Sequence, residues 1–163
     1  MSRSHHRRYV CAVESLLATS GIRTLDRHSM LRSPQWRNAA CLFDLLAFVD
    51  GQPVPLWVTG RKLPERGRSA IVWNYVALCK LDDVVHWAAA NVGTPPLMLF
   101  LLEGDHLRAP AKCVQRFVIS GVQYSLLAAD PRMYRSAATP RSPQQWEKVN
   151  VASSRFDELS YGL

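Results

Sequence analysis

The sequence contains no apolar run approaching the roughly 20 residues that a membrane-spanning helix needs, so no membrane partner is expected. It has no C-x-x-C pair: its four cysteines, Cys11, Cys41, Cys79 and Cys113, are widely spaced. Zinc ligands usually come in close pairs, so a structural zinc site is not expected either. Each cysteine lies in or beside an apolar stretch, and the expectation is buried free thiols in a reducing, intracellular compartment. The basic N-terminus is followed by neither a long apolar stretch nor a small-residue cleavage site, so secretion is not expected. A Gly-rich phosphate loop, His-Glu-x-x-His and Gly-x-Ser-x-Gly are all missing, which removes the chemistries those motifs support. No internal repeat is present.

What remains is 163 residues, 48% hydrophobic and 20% charged, which suits one globular domain with a core of its own. The net charge of +7 suits nucleic acid or another acidic partner. Basic residues recur in three clusters: Arg3, Arg7 and Arg8; Arg61, Lys62, Arg66 and Arg68; and Arg132, Arg135 and Arg141.

Residues Met1 to Arg8 are polar and basic and read as a loose end. Val10, Val13, Leu16 and Leu17 then share one face at helical periodicity, and Gly21 is a natural stop. Glu14 flanks that stripe. Ile22 to Asn38 read as a connector. Cys41-Leu-Phe-Asp-Leu-Leu-Ala-Phe-Val49 and Gln52-Pro-Val-Pro-Leu-Trp-Val-Thr59 are two apolar runs joined by Asp50-Gly51, the signature of a β-hairpin. The first run is apolar on both faces and reads as a central strand. Pro53 and Pro55 put the start of the second at an irregular or edge location. A charged loop over Gly60 to Arg68 precedes a strand over Ala70 to Leu78. Asp82, beside Asp83, is placed to cap a helix ending near Gly93, and Pro96 to Leu102 form a buried strand. A strand or hairpin surrounds Gly121, and a polar tail begins after Pro131. Helices interleaved with strands predict an α/β domain, a central mixed β-sheet flanked by helices.

Four stretches resemble the PD-(D/E)XK nuclease superfamily, and most closely the archaeal-type Holliday junction resolvases. They are the first helix bearing Glu14 and running into Ser-Gly-Ile; Phe43-Asp44-Leu-Leu-Ala-Phe-Val-Asp-Gly51; Leu56-Trp-Val-Thr-Gly-Arg-Lys62; and Leu81-Asp-Asp-Val-Val-His-Trp-Ala-Ala-Ala-Asn-Val-Gly93 leading into an apolar strand. The resemblance covers about residues 8 to 103. It implies a restriction-endonuclease-like fold and a site in which Asp44 and Glu14 bind Mg2+. It also implies a partner in DNA and a homodimer. The loop after the second hairpin strand would lie near the active face, so Arg61, Lys62, Arg66 and Arg68 would contact phosphates, although a solvated loop explains them equally well.

The departures concern the chemistry directly. Phosphodiester hydrolysis uses carboxylates to hold magnesium, which lowers the pKa of an attacking water, and a nearby lysine to stabilise charge. The family places a Glu opposite the Asp and a Lys two residues later. A two-residue Asp50-Gly51 turn pairs Val49 with Gln52 and, counting back, Asp44 with Trp57. Trp57 and Thr59 therefore occupy the Glu and Lys positions, and neither can supply the missing group. Arg61 or Lys62 swinging back, with Glu65 as the acid, is the remaining route to an active site. Asp44 in an apolar strand is costly unless liganded or hydrogen-bonded, and both readings stay open.

Three functions follow. The leading one is a catalytically degraded nuclease-fold protein, without a cofactor, that binds nucleic acid or serves as a module in a larger assembly, a viral or mobile-element complex included. The second is an active, Mg2+-dependent, structure-selective endonuclease. The third is a purely structural assembly subunit.

Overall fold

A computed structural model of the chain describes residues 3–63, 74–105, 115–144, 146–152, 155–156 and 159. Glu65, Arg66, Arg68, His106 and Cys113 lie outside them, as do residues 70–73 of the strand expected over Ala70 to Leu78.

Helix α1 spans Arg3–Thr19 and is followed by strand β1, Arg23–Asp26, and helix α2, Arg27–Arg32. The N-terminal end is therefore helical from Arg3, not loose to Arg8. The expected connector holds two elements, and Asp26 caps α2 by accepting from the Ser29 N–H at 2.8 Å. A 3-10 turn at Ala39–Cys41 leads into the hairpin of β2, Leu45–Val49, and β3, Gln52–Lys62. Asp50 and Gly51 both have positive φ, 50° and 76°, as the tight hairpin turn requires.

The hairpin register is the expected one, from Val49 opposite Gln52 to Leu45 opposite Leu56. Pro53 and Pro55 are accommodated within the paired part of β3, opposite Phe48 and Leu46. These alternate positions do not direct an amide at β2. Strand β5, Leu97–Glu103, joins the other edge of β3 only from Leu56 onward, so no ladder bond is lost there either.

Between β3 and β5 lie a two-residue strand β4, Val76–Ala77, and helix α3, Leu78–Ala90. The helix begins four residues before Asp82, which therefore does not cap it. Asp82 lies inside α3 and pairs with Arg135 at 2.5 Å. The hairpin of β6, Gln115–Ile119, and β7, Val122–Ala129, turns through Ser120 and Gly121, both at positive φ. The expected polar tail is structured. Asp130 caps helix α4, Pro131–Ala137, and short strand β9, Lys148–Asn150, pairs with both β4 and the short strand β8, Thr139–Pro140.

The main sheet has the order β1-β2-β3-β5-β7-β6. Only β3 and β5 run parallel; the other neighbours are antiparallel, so the sheet is mixed. Side-chain alternation divides the core between its two faces. Met98, Phe100 and Leu102 of β5 join Trp57, Leu81, Val84, Tyr134, Val149 and Phe156 on one face. Leu99 and Leu101 join Tyr9, Ala12, Val13, Leu16 and Val58 on the other, beneath α1. The C-terminal third thus completes the first core. The buried Tyr134 hydroxyl donates to the Asn74 carbonyl, and burial pushes its pKa well up. The Asn74 side chain in turn bridges both backbone groups of Val151, at 2.9 and 3.0 Å.

The cysteine expectation is corrected. Cys11, Cys41 and Cys79 are free but exposed. Cys11 sits on α1 just off the face formed by Tyr9, Ala12, Val13 and Leu16, so its apolar sequence neighbours bury themselves and leave it outside. No described helix is long and apolar enough to cross a membrane.

Tyr9 sets how closely α1 approaches the sheet. A Cβ built on Gly60 would stand 2.1 Å from the Tyr9 ring. Gly60→Ala should therefore lift α1 and cost about 1–3 kcal/mol, as overpacking of a core does. In thermal unfolding this is a fall of roughly 2–4 °C per kcal/mol. An unchanged midpoint would mean that Tyr9 moves aside freely.

Candidate functional site

Asp44 is the last residue before β2 and is 7% exposed. Its backbone N–H donates to the Leu56 carbonyl at 2.9 Å. One carboxylate oxygen, Oδ2, accepts from the Val58 N–H at 2.9 Å. The side chain thus takes up an amide of β3 just beyond the point where the β2 ladder stops. The other oxygen, Oδ1, meets His6 Nε2 at 2.8 Å. The paired register stops at Leu45 opposite Leu56, and the bond from the Asp44 N–H to Leu56 marks a departure from it there.

A cation from α3 also stands close, at a position not among the expected site residues. Lys80, in the first turn of α3, places its Nζ 4.7 Å from the centre of the Trp57 ring. Burial pushes the Lys80 pKa down, the charge of Asp44 pulls it up, and Arg27 opposes Asp44. The net shift is downward, so desolvation outweighs the carboxylate. Asp44, His6, Lys80 and Trp57 therefore form one cluster at the meeting of α1, α3 and the β2–β3 hairpin.

Glu14 does not join it. It lies on α1 two helical turns beyond His6, roughly 12 Å along the axis at 1.5 Å per residue. His6, within the end that reads as loose in the sequence, takes the place beside Asp44. Among the described residues no group of three or more His, Cys, Asp or Glu side chains is arranged to hold a metal ion.

His6 was legible in principle. Carried back from Val13 and Tyr9, the helical stripe passes through position 6, but the basic composition of the end concealed it. Lys80 carried a weaker signal, four residues before Val84 and seven before Trp87, on the flank of the buried face of α3.

Arg61 does not swing back toward Asp44. Its guanidinium donates to the carbonyls of Gly60 and Tyr75, each at 2.9 Å. Lys62 follows it at the exposed end of β3. A second buried carboxylate, Glu103 at the end of β5, pairs with Arg8 of α1. Arg8 and His6 thus fasten the first helix to two separate strands.

The sequence matches no protein-family profile and no curated protein. The structure does find a counterpart. The Holliday junction resolvase Hjc of Archaeoglobus fulgidus, an archaeal hyperthermophile, superposes with a TM-score of 0.52. The chain has the resolvase fold. The correspondence covers 96% of this chain and 90% of the archaeal one at 11% identity. It therefore extends past the region that resembles the family in sequence and takes in the C-terminal third. At that identity the likeness carries the architecture and not the chemistry.

The Val58 bond gives a prediction. Asp44→Ala leaves that buried amide without its acceptor, at a cost of about 1–3 kcal/mol. Asp44→Asn keeps an oxygen in place and should lose less. Denaturant unfolding of both variants measures the difference; equal losses would show that the amide finds another partner.

Proposed function

We propose that the chain is a catalytically degraded nuclease-fold protein that binds nucleic acid through its basic surface. The observation that carries this reading is the internal use of Asp44: His6 and the Val58 amide take one oxygen each. Magnesium takes near-octahedral oxygen coordination and is usually held by one or two carboxylates together with water and substrate phosphates. In the family resemblance the Glu position falls on Trp57 and the Lys position on Thr59, and Glu14 stands two helical turns from His6. A metal would have to share the Asp44 oxygens with both of these partners, His6 and the Val58 amide, within the field of the Lys80 cation. The donor set does not fit Mg2+.

The fold is shared with a protein whose described role is the resolution of Holliday junctions, which makes DNA the first ligand class to test. The positive charge agrees with it, because phosphate contacts supply most non-specific affinity. Lys62, with Arg61 held beside it, supplies contacts at the end of β3. Arg66 and Arg68, in the segment that follows, belong to the same proposal. A homodimer or a place in a larger assembly is compatible with this role.

The test is incubation with branched and duplex DNA in Mg2+ or Mn2+, with binding and cutting followed separately. The expected result is salt-sensitive binding with no cleavage, weakened by Lys62→Ala. Metal-dependent cutting that disappears in Asp44→Ala would establish the active endonuclease instead. Absence of DNA binding near physiological salt would leave an assembly role.

A further inference from the structure

Beyond the Asp44 cluster, the same face of β3 leads to a second feature. Trp57, Thr59 and Arg61 alternate onto one face, so Arg61 lies about 13 Å along the strand from Trp57. There the end of β3 meets the small sheet of β4, β9 and β8. Between them is an open cleft of about 370 Å3, lined by Gly60, Arg61, Lys62, Tyr75, Val76 and Lys148, among others.

Three cations converge on the ring of Tyr75: Arg61 and Lys148 line the cleft, and Arg141 stands beside it against the same ring. The guanidinium carbons of Arg61 and Arg141 each stand 4.1 Å from the centre of Tyr75, and Lys148 Nζ stands 5.7 Å from it. The two arginines can be no farther apart than twice their distance to the ring. That is about one Debye length at physiological salt, ~8 Å, so their repulsion is only partly screened. Among the described residues no carboxylate forms an ion pair with Arg141 or Lys148, and Glu147, adjacent to Lys148 in the chain, is no exception. The aromatic quadrupole offsets part of the cost but supplies no compensating charge.

The geometry points to this cleft as a docking site for the phosphodiester backbone of a nucleic acid, with Arg141 and Lys148 as its phosphate-contacting residues. Tyr75 acts as the platform that holds the cations. Its ring already faces them, so it is not offered to a nucleobase, and the contact is with phosphate and independent of sequence. Arg61 is fixed by the Gly60 and Tyr75 carbonyls and contributes field more than a free donor fork. Arg141 comes from the turn after β8 and Lys148 from β9, so the site depends on the C-terminal segment. The inference rests on the nucleic-acid reading above and adds to it a place and two residues outside the β3 loop.

The test is the salt dependence of duplex DNA binding by the full chain. Each phosphate contact contributes about 0.9 to the slope of log affinity against log salt. Arg141→Gln and Lys148→Gln should each lower the slope by about 1, and the double variant by about 2, uniformly across DNA sequences. Arg141→Lys and Lys148→Arg should keep it, as should Arg116→Gln on β6, the far edge strand. Thermal unfolding of each variant checks that the fold survives. If the glutamine variants bind with the wild-type slope, or if Arg116→Gln lowers it equally, the cleft is not the phosphate site, while the nucleic-acid reading stands. If the wild-type chain binds no DNA, both fall together.

Discussion

The carboxylate of Asp44 holds three parts of the structure at one point. One oxygen takes a β3 amide where the β2 ladder ends, and the other takes the His6 ring from α1. Lys80 of α3 lies within its field. Burying a carboxylate is costly unless it is hydrogen-bonded or its charge is met, and here each oxygen has a partner within the chain and a cation stands nearby. The remainder of the α1 contact follows from this anchor. Tyr9 lies on Gly60, Arg8 reaches Glu103, and the apolar face beyond them covers one side of the sheet. Asp44 is thus a structural joint between α1 and the hairpin.

The opposite face of the sheet follows a different rule. Its core is completed by residues far along the chain, with Tyr134, Val149, Val151 and Phe156 packed on the strand residues Trp57, Phe100 and Leu102. The same C-terminal segment brings Arg141 and Lys148 to Tyr75. Folding the tail onto the core and assembling the basic cleft are therefore one event. The surface proposed to meet nucleic acid is built partly from residues nearly 90 positions after Arg61.

The elements governed by local rules were legible in the sequence. Asp50-Gly51 dictates a two-residue turn, and the turn dictates the register from Val49 opposite Gln52 to Leu45 opposite Leu56. The apolar runs of β2 and β5 announce buried strands, and Gly121 announces the second hairpin turn. What escaped depends on distant partners. His6 reads as part of a basic end until Asp44, 38 residues later, gives it a bond. Asp82 reads as a cap until Arg135 claims it, and α3 starts earlier, at Leu78, without a side-chain cap. The segment after Pro131 is polar on average, but a few large side chains spaced along it are enough to bury it. Cys11 shows the converse error: apolar neighbours in sequence do not bury a residue that falls on the wrong side of a helix.

The central claim is that Asp44 is satisfied within the chain and is not a metal ligand. The most direct measurement follows the backbone amide signal of Val58 and the ring signals of His6 by NMR during titration with paramagnetic Mn2+. Asp44 engaged by these two groups predicts no selective broadening of either signal at millimolar metal. Selective broadening of both at lower concentration, abolished by Asp44→Asn, would show that the carboxylate binds metal and would contradict the account.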